Sequence, residues 1–256
     1  MLIAERQLKI LNLIRDSGSM QVEDLAQKLA VSPMTIRRDL EKLGKDGLVQ
    51  RCHGGAVSKM EINYAEKSVQ NRDQKEKIAR KCMEFIQAGT TVYLDAGTTI
   101  FEVARRMVDL ENMTVVTNDL EIARLMKNSK AELILCGGNV QKSTGSTFGY
   151  YATQMMRDFR FDAGIFGAAV INEEFQVMTP TIDKAFLKRQ VAEQCQQSFL
   201  LVDDSKFNRQ GMNRINCLVD YTGIITDHKF KESEHIQLAK TGARIITVTG
   251  QDNSIE

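Results

Sequence analysis

What this chain of 256 residues lacks narrows its class before any motif is sought. No apolar run approaches the ~18–20 residues of a spanning helix, and charges are scattered through the first fifteen residues, so neither a membrane span nor a signal peptide is expected. The five cysteines (Cys52, Cys82, Cys136, Cys195, Cys217) are odd in number and include no Cys-x-x-Cys pair. That argues against a disulfide framework or a structural zinc site, and the chain reads as cytoplasmic. Gly-x-x-x-x-Gly-Lys-Ser/Thr and Gly-x-Gly-x-x-Gly are both missing, which leaves a nucleotide triphosphatase or a dinucleotide enzyme without support. The three histidines, His53, His228 and His235, form no Ser-His-Asp or metal pattern, and no metal or cofactor is expected. What remains is globular in composition, with 43% hydrophobic and 26% charged residues, and at ~150 residues per domain it makes one or two domains. The net charge of +1 hides an asymmetry: residues 1–59 hold 10 Lys and Arg against 7 Asp and Glu, and the rest holds 24 against 26.

The basic excess sits on a recognisable pattern. Ala4, Leu8 and Leu11, with Ile10 and Ile14, recur at helical steps, predicting a helix over residues 3–15 that Ser17-Gly18-Ser19 ends. Val22, Leu25, Ala26 and Leu29 predict a second, short helix. Ser32-Pro33 is a helix start, serine serving as N-cap and proline fitting the first position. The third helix buries Ile36, Leu40 and Leu43 and leaves Thr35, Arg37, Arg38, Asp39 and Lys42 outside. Two short helices joined by a tight turn make a helix-turn-helix, whose second member enters the major groove by its N-terminal part. Residues 48–52 and Ala56-Val57 then read as strands around His53-Gly54-Gly55, a wing whose basic tip meets phosphates or the minor groove. Ser32, Thr35, Arg37, Arg38, Lys42, Arg51, His53 and Gly54 are the candidate DNA contacts. A solvated helix face is the plainer reading of Arg37 and Arg38 alone, and a protein-binding winged helix is another. The capped start, the paired arginines and the basic wing together favour DNA.

These residues also carry a resemblance. Val31-Ser32-Pro33-Met34-Thr35-Ile36-Arg37-Arg38-Asp39-Leu40 and Arg51-Cys52-His53-Gly54-Gly55-Ala56 resemble the winged helix of DeoR-family bacterial transcription regulators, almost without a break over residues 5–57.

Residues 58–74 are charged, poor in apolar residues and without a clear period, and read as a linker between domains at 1–57 and 75–256. Beyond it, strands are expected at 91–95, 113–117, 131–136, 163–168, 199–203, 223–226 and 244–248, alternating with helices. This is the rhythm of a doubly wound, mostly parallel sheet in an α/β domain. Ligands of such sheets bind at the carboxyl ends of strands. There the chain places Asp95-Ala96-Gly97-Thr98-Thr99, Thr117-Asn118, Gly137-Gly138-Asn139 with Lys142, and Asp203-Asp204-Ser205-Lys206, a polar set able to take an anion. The resemblance to the DeoR family continues through these motifs, and through Lys188-Arg189 and Ile225-Thr226-Asp227. It implies a sensor domain similar to ribose-5-phosphate isomerase, with Asp95, Gly97, Thr98, Thr99, Asn118, Gly138, Lys142, Lys188 and Lys206 as effector contacts. Three places depart from the family pattern: Asp119 stands where a serine is usual, Gly167-Ala168-Ala169-Val170-Ile171 lacks a second glycine, and Asp183 stands for a glutamate before Lys188. The reading that follows is a non-catalytic repressor of a carbohydrate-utilisation operon, gated by a phosphorylated sugar or sugar alcohol and acting as a dimer or tetramer. The alternative is a sugar-phosphate isomerase with a regulatory winged helix.

Overall fold

The computed structural model describes residues 1–52, 54–58 and 63–248. The N-terminal unit runs α1 (Ile3–Ser17), β1 (Ser19–Gln21), α2 (Val22–Leu29), α3 (Pro33–Lys45), β2 (Val49–Cys52) and β3 (Gly55–Ser58), a winged helix-turn-helix. Its three strands pair antiparallel in the order β1-β3-β2. Ile10 and Ile14 of α1, Leu25 of α2, and Ile36 and Leu40 of α3 form its own closed core. Two details differ from the periodicity. Leu8 stands 59% exposed, so α1 buries Ile10 and Ile14 in place of the broader stripe. Asp39 is buried at 4%, not outside, because Arg6 reaches across from α1 to bond both of its oxygens and Gln7 adds a third bond.

Within 58–74, where sparse apolar residues gave no pattern, the chain forms α4 (Tyr64–Val69) and begins α5 (Arg72–Cys82). The six-residue α4 buries nothing completely. It is held by tertiary contacts that periodicity cannot show: Tyr64 donates its N–H to the Ser143 carbonyl at 2.9 Å, and its ring meets Phe101 edge-on.

The C-terminal unit continues through β4 (Thr91–Leu94), α6 (Thr98–Met107), β5 (Thr114–Thr117), α7 (Leu120–Met126), β6 (Glu132–Leu135), β7 (Asn139–Gln141), β8 (Ser146–Phe148), α8 (Tyr150–Met156) and β9 (Phe161–Gly167). It ends with β10 (Val170–Ile171), β11 (Gln176–Thr179), α9 (Ile182–Glu193), β12 (Cys195–Val202), β13 (Asn213–Cys217), β14 (Gly223–Thr226), α10 (Glu232–Thr241) and β15 (Ile245–Thr247). All seven anticipated strands join one parallel sheet in the order β15-β14-β12-β9-β4-β5-β6. Alternation along each strand feeds two cores, as the two-residue period requires. Val92, Leu94, Phe199 and Leu201 pack with α5, α6 and α7, while Tyr93, Leu200 and Val202 pack with α8, α9 and α10. The sheet starts in its middle at β4, runs outward to β6 and resumes on β4's other side with β9, so the strand order reverses between β4 and β9. Two smaller pieces were not anticipated: the hairpin β7-β8 and the antiparallel set β10-β11-β13.

The two units touch where β1 approaches the loop before β13. Gln210 donates its backbone N–H to the Ser19 hydroxyl at 3.3 Å, and Val170 lies against Gly18.

Candidate functional site

The start of α3 is built as its sequence dictates. Ser32 Oγ accepts the Thr35 N–H at 3.2 Å and lies 2.9 Å from the Thr35 hydroxyl, so both side chains serve the cap at the tip of the helix. Arg37, Arg38 and Lys42 are exposed along its outer face, and among the described residues Arg37 pairs with Glu23 of α2, at 3.3 Å across water-accessible surface. An exposed pair of this kind is worth ~1 kcal/mol or less and yields readily to a phosphate. Arg51 is exposed on β2, while His53 lies outside the described residues. Gly54 is exposed with φ +79°, and its carbonyl accepts the Val22 N–H at 2.8 Å. A Cβ on the adjacent Gly55 would sit 2.3 Å from the Met20 carbonyl oxygen. The Gly-Gly pair therefore lets the wing close onto β1, a backbone role beside any contact with DNA.

The second site opens where the strand order reverses, the crevice this topology reserves for ligands. Its walls include Asp95 to Ile100, Asn118, Gly167 to Ala169, Thr179, Lys184, Lys188 and Lys206, and α4 and α5 add Lys67 and Lys75. It encloses about 70 Å³. Helix α6 begins on this wall at Gly97, whose φ of +146° suits glycine, and no side chain caps it. Its first-turn amides have no preceding turn to bond, the ordinary ground for anion affinity.

Asp95 is fully buried. Its Oδ2 accepts the Gly167 N–H at 3.0 Å and the Lys188 ammonium at 2.5 Å, and Lys188 also donates to the Gly167 carbonyl at 2.8 Å. Asp95 Oδ1 has no partner among the described residues, and neither has Asp203 Oδ2. Lys75 is buried at 4% and donates to the Lys67 carbonyl. Burial, and then the nearby Lys206, bring Lys75 down to about 8. Burial likewise lowers Lys206, against the pull of Asp203. Burying ammonium groups is costly unless a counter-charge arrives.

Asp119 is buried too, and backbone amides take up both of its oxygens. Oδ1 caps α7 by accepting from Glu121 and Ile122, and Oδ2 accepts the Gly97 N–H at 3.0 Å. Burial raises its pKa to about 6, the three amides opposing and Asp95 adding to the rise. Asn118 is committed to the framework: Oδ1 accepts from the Tyr93 hydroxyl and Nδ2 donates to the Thr147 carbonyl.

Of the anticipated contacts, Asp95, Gly97, Thr98, Thr99, Asn118, Lys188 and Lys206 line the crevice. Gly138 and Lys142 do not, which corrects their assignment. Gly138 packs against the Phe148 carbonyl and Ala152, and Lys142 is exposed at the β7-β8 turn. Asp183 also points outward, on the opposite side of α9 from Lys188, so it does not replace a crevice carboxylate. Sequence reasoning missed Lys67, Lys75 and Lys184. Lys184 and Lys188 are spaced i, i+4 on one helix face, a signal available in the sequence; Lys67 and Lys75 come from α4 and α5, which the topology swings over the sheet.

Comparison with known proteins adds the following. The family described as the DeoR C-terminal sensor domain matches residues 70–228, and the DeoR-like helix-turn-helix domain matches residues 6–61. The chain is 32% identical to the glycerol-3-phosphate regulon repressor of Escherichia coli K12, over 87% of this chain and 90% of that protein. It is also 32% identical to the HTH-type transcriptional regulator GlpR of Haloferax volcanii, over 96% and 98%. Among solved structures, a ribose 5-phosphate isomerase A from Methanocaldococcus jannaschii is 17% identical with a TM-score of 0.39, covering 54% of this chain and 55% of that one.

Proposed function

Since the chain belongs to the DeoR family of transcription regulators, we propose that it represses a carbohydrate-utilisation operon in the cytoplasm and that a small phosphorylated sugar or polyol in the crevice sets its grip on operator DNA. The observation that carries this reading is the meeting of Lys75, Lys188 and Lys206 with the uncapped start of α6 at the strand reversal. A phosphate dianion supplies counter-charge to Lys75, which is bonded only to a backbone carbonyl among the described residues, and adds to that of Asp203 at Lys206. The first-turn amides of α6 donate to its oxygens, and Asp95 Oδ1 and Asp203 Oδ2 offer acceptors for hydroxyl groups. The glycerol-3-phosphate regulon named by one relative agrees with that ligand class.

Ligand and DNA communicate through parts that serve both. Lys206 faces the crevice, and four residues later Gln210 bonds Ser19 at the foot of the winged helix. Helix α5 brings Lys75 to the crevice directly after the segment leaving the wing. A ligand shifts DNA affinity only by its differential affinity for two arrangements of these parts, typically ~1–3 kcal/mol. On the DNA side, Thr35, Arg37 and Arg38 enter the major groove while Lys42, Arg51, His53 and Gly54 contact the backbone, and two copies read two half-sites ~34–36 Å apart.

The test is fluorescence anisotropy on labelled DNA from the protein's own promoter region, at two salt concentrations, with and without a panel of sugar and polyol phosphates. Tight, salt-sensitive binding that one phosphate shifts is the expected result. Thr98→Val and Lys206→Ala should keep the binding and blunt the shift. Binding without salt dependence, or full response in both variants, overturns the reading. Turnover of a pentose or hexose phosphate by the pure protein would instead establish the isomerase.

A further inference from the structure

Helix α9 is built inside out. Its inward side carries Lys184 and Lys188, 6% and 9% exposed, beside Leu187 and Val191, while Ile182 and Phe186 on its outer side stand 49% and 52% exposed. A surface helix ordinarily turns its apolar stripe to the core and its lysines to water. The lysines are accounted for by the crevice. The aromatic outer side is not, and it continues onto the neighbouring helix: Gln190 ties α9 to α8 through the Thr153 carbonyl at 2.8 Å, and α8 presents Tyr150 and Tyr151 at 70% and 74% exposure.

We propose that this α8-α9 face is where a second copy of the chain docks. The proposal rests on the two-copy operator reading above and names the surface that joins the copies. At ~200 Å² for a whole aromatic side chain, the three rings leave roughly 400 Å² in water. That lies within the ~300–600 Å² of the largest patch on a monomer, which is often functional, and is about half of the ~800 Å² each partner gives to a standard interface. The face also carries both signs of charge, so that it can meet its own copy across a two-fold axis with opposite charges facing. Asp183 and Glu193 line the groove between α8 and α9 together with Arg189, whose guanidinium lies 6.0 Å from the Phe186 ring centre. Aromatic rings with an arginine among them are the side chains enriched at interface cores. One helix then presents its lysines to the effector and its aromatic side to the partner, so the two events share a rigid element.

Sedimentation equilibrium of the full chain without DNA tests this. Wild type is expected to run as a dimer or a multiple of one, and Y151E/F186E to fall to half that mass, with a far-ultraviolet spectrum and melting temperature close to wild type. Ile236→Glu, at an exposed apolar residue elsewhere, should change nothing. Where the half-mass species is a monomer, operator affinity should also fall ~100-fold as bivalency is lost. Should the double variant fail to fold, Y151S/F186S lowers the apolar area without adding charge and must still weaken association. Unchanged mass in a folded variant, or a monomeric wild type at tens of micromolar, overturns the proposal. Intact mass with no salt-sensitive DNA binding would instead overturn the operator reading and leave the interface standing.

Discussion

Replacing Asp119 by asparagine should stabilise the protein at neutral pH and above, although the change removes a helix cap's charge. Asp119 is completely buried, and its carboxyl is raised from 3.8 to about 6 by burial in spite of three accepted amide bonds. A folded-state pKa above the unfolded value means that the folded protein holds the proton more tightly. Above pH 6 the group is ionised in both states, and the roughly two-unit rise amounts to about 3 kcal/mol of lost stability. The loss fades as pH falls through 6 and is gone near 4. Asparagine imitates the neutral acid, but its single oxygen cannot both cap α7 and accept from Gly97, which forfeits about 1 kcal/mol. The net expectation at pH 8 is about 2 kcal/mol of stabilisation, or ~4–8 °C in the melting temperature of the sensor domain. At pH 4.5 the advantage should shrink to nothing or reverse. Calorimetry of both proteins at the two pH values measures this. A variant less stable than wild type by the same amount at both would refute the reasoning, because it would mean that the hydrogen bonds, and not buried charge, decide the energetics at this position.

Arg37→Ala and Arg38→Ala should each weaken operator binding and reduce the slope of log affinity against log salt by ~0.9 for every phosphate no longer neutralised; anisotropy titrations at several salt concentrations read both. Asp39→Ala leaves Arg6, 13% exposed, without its partner and should destabilise the winged helix by about 2–3 kcal/mol in urea denaturation. Affinity for inorganic phosphate should decline as pH rises through about 8, because an anion favours charged Lys75 and the free protein loses that charge there. Calorimetric titration in two buffers of different ionisation enthalpy should show proton uptake on binding at pH 8.

The parallel sheet is legible in the sequence because its inner strands are short apolar runs buried on both faces. Ser32-Pro33 marks the start of α3 for a similarly local reason: capping is decided within four residues. The antiparallel set is a different matter. Met178 of β11 pairs with Arg214 of β13, thirty-six positions away, and neither strand has a pattern of its own that announces the pairing. The crevice divides along the same line. Asp95, Gly97 and Thr98 follow directly from the end of β4, whereas Lys67 and Lys75 reach the crevice only because α4 and α5 fold over the sheet. Gly138 and Lys142 also follow a strand, β6, but that strand is at the sheet's edge, away from the reversal between β4 and β9. Asp119, which stands where the family has a serine, is a carboxylate occupied by backbone amides, a placement that only the fold shows.

The pair between Arg6 and Asp39 sorts charge as well as joining two helices. With Asp39 turned into the core, the outward charges of α3 are Arg37, Arg38, Lys42 and Lys45 against Glu41, and Glu41 is bonded to Lys45 at the far end of the helix. The end of α3 that faces a phosphate backbone is thereby left with one sign. Released from Arg6, the same aspartate would be drawn to the surface within one turn of the two arginines and would repel the polyanion they attract. Damage to α1 would therefore surface as weaker and less salt-sensitive binding before the domain unfolds.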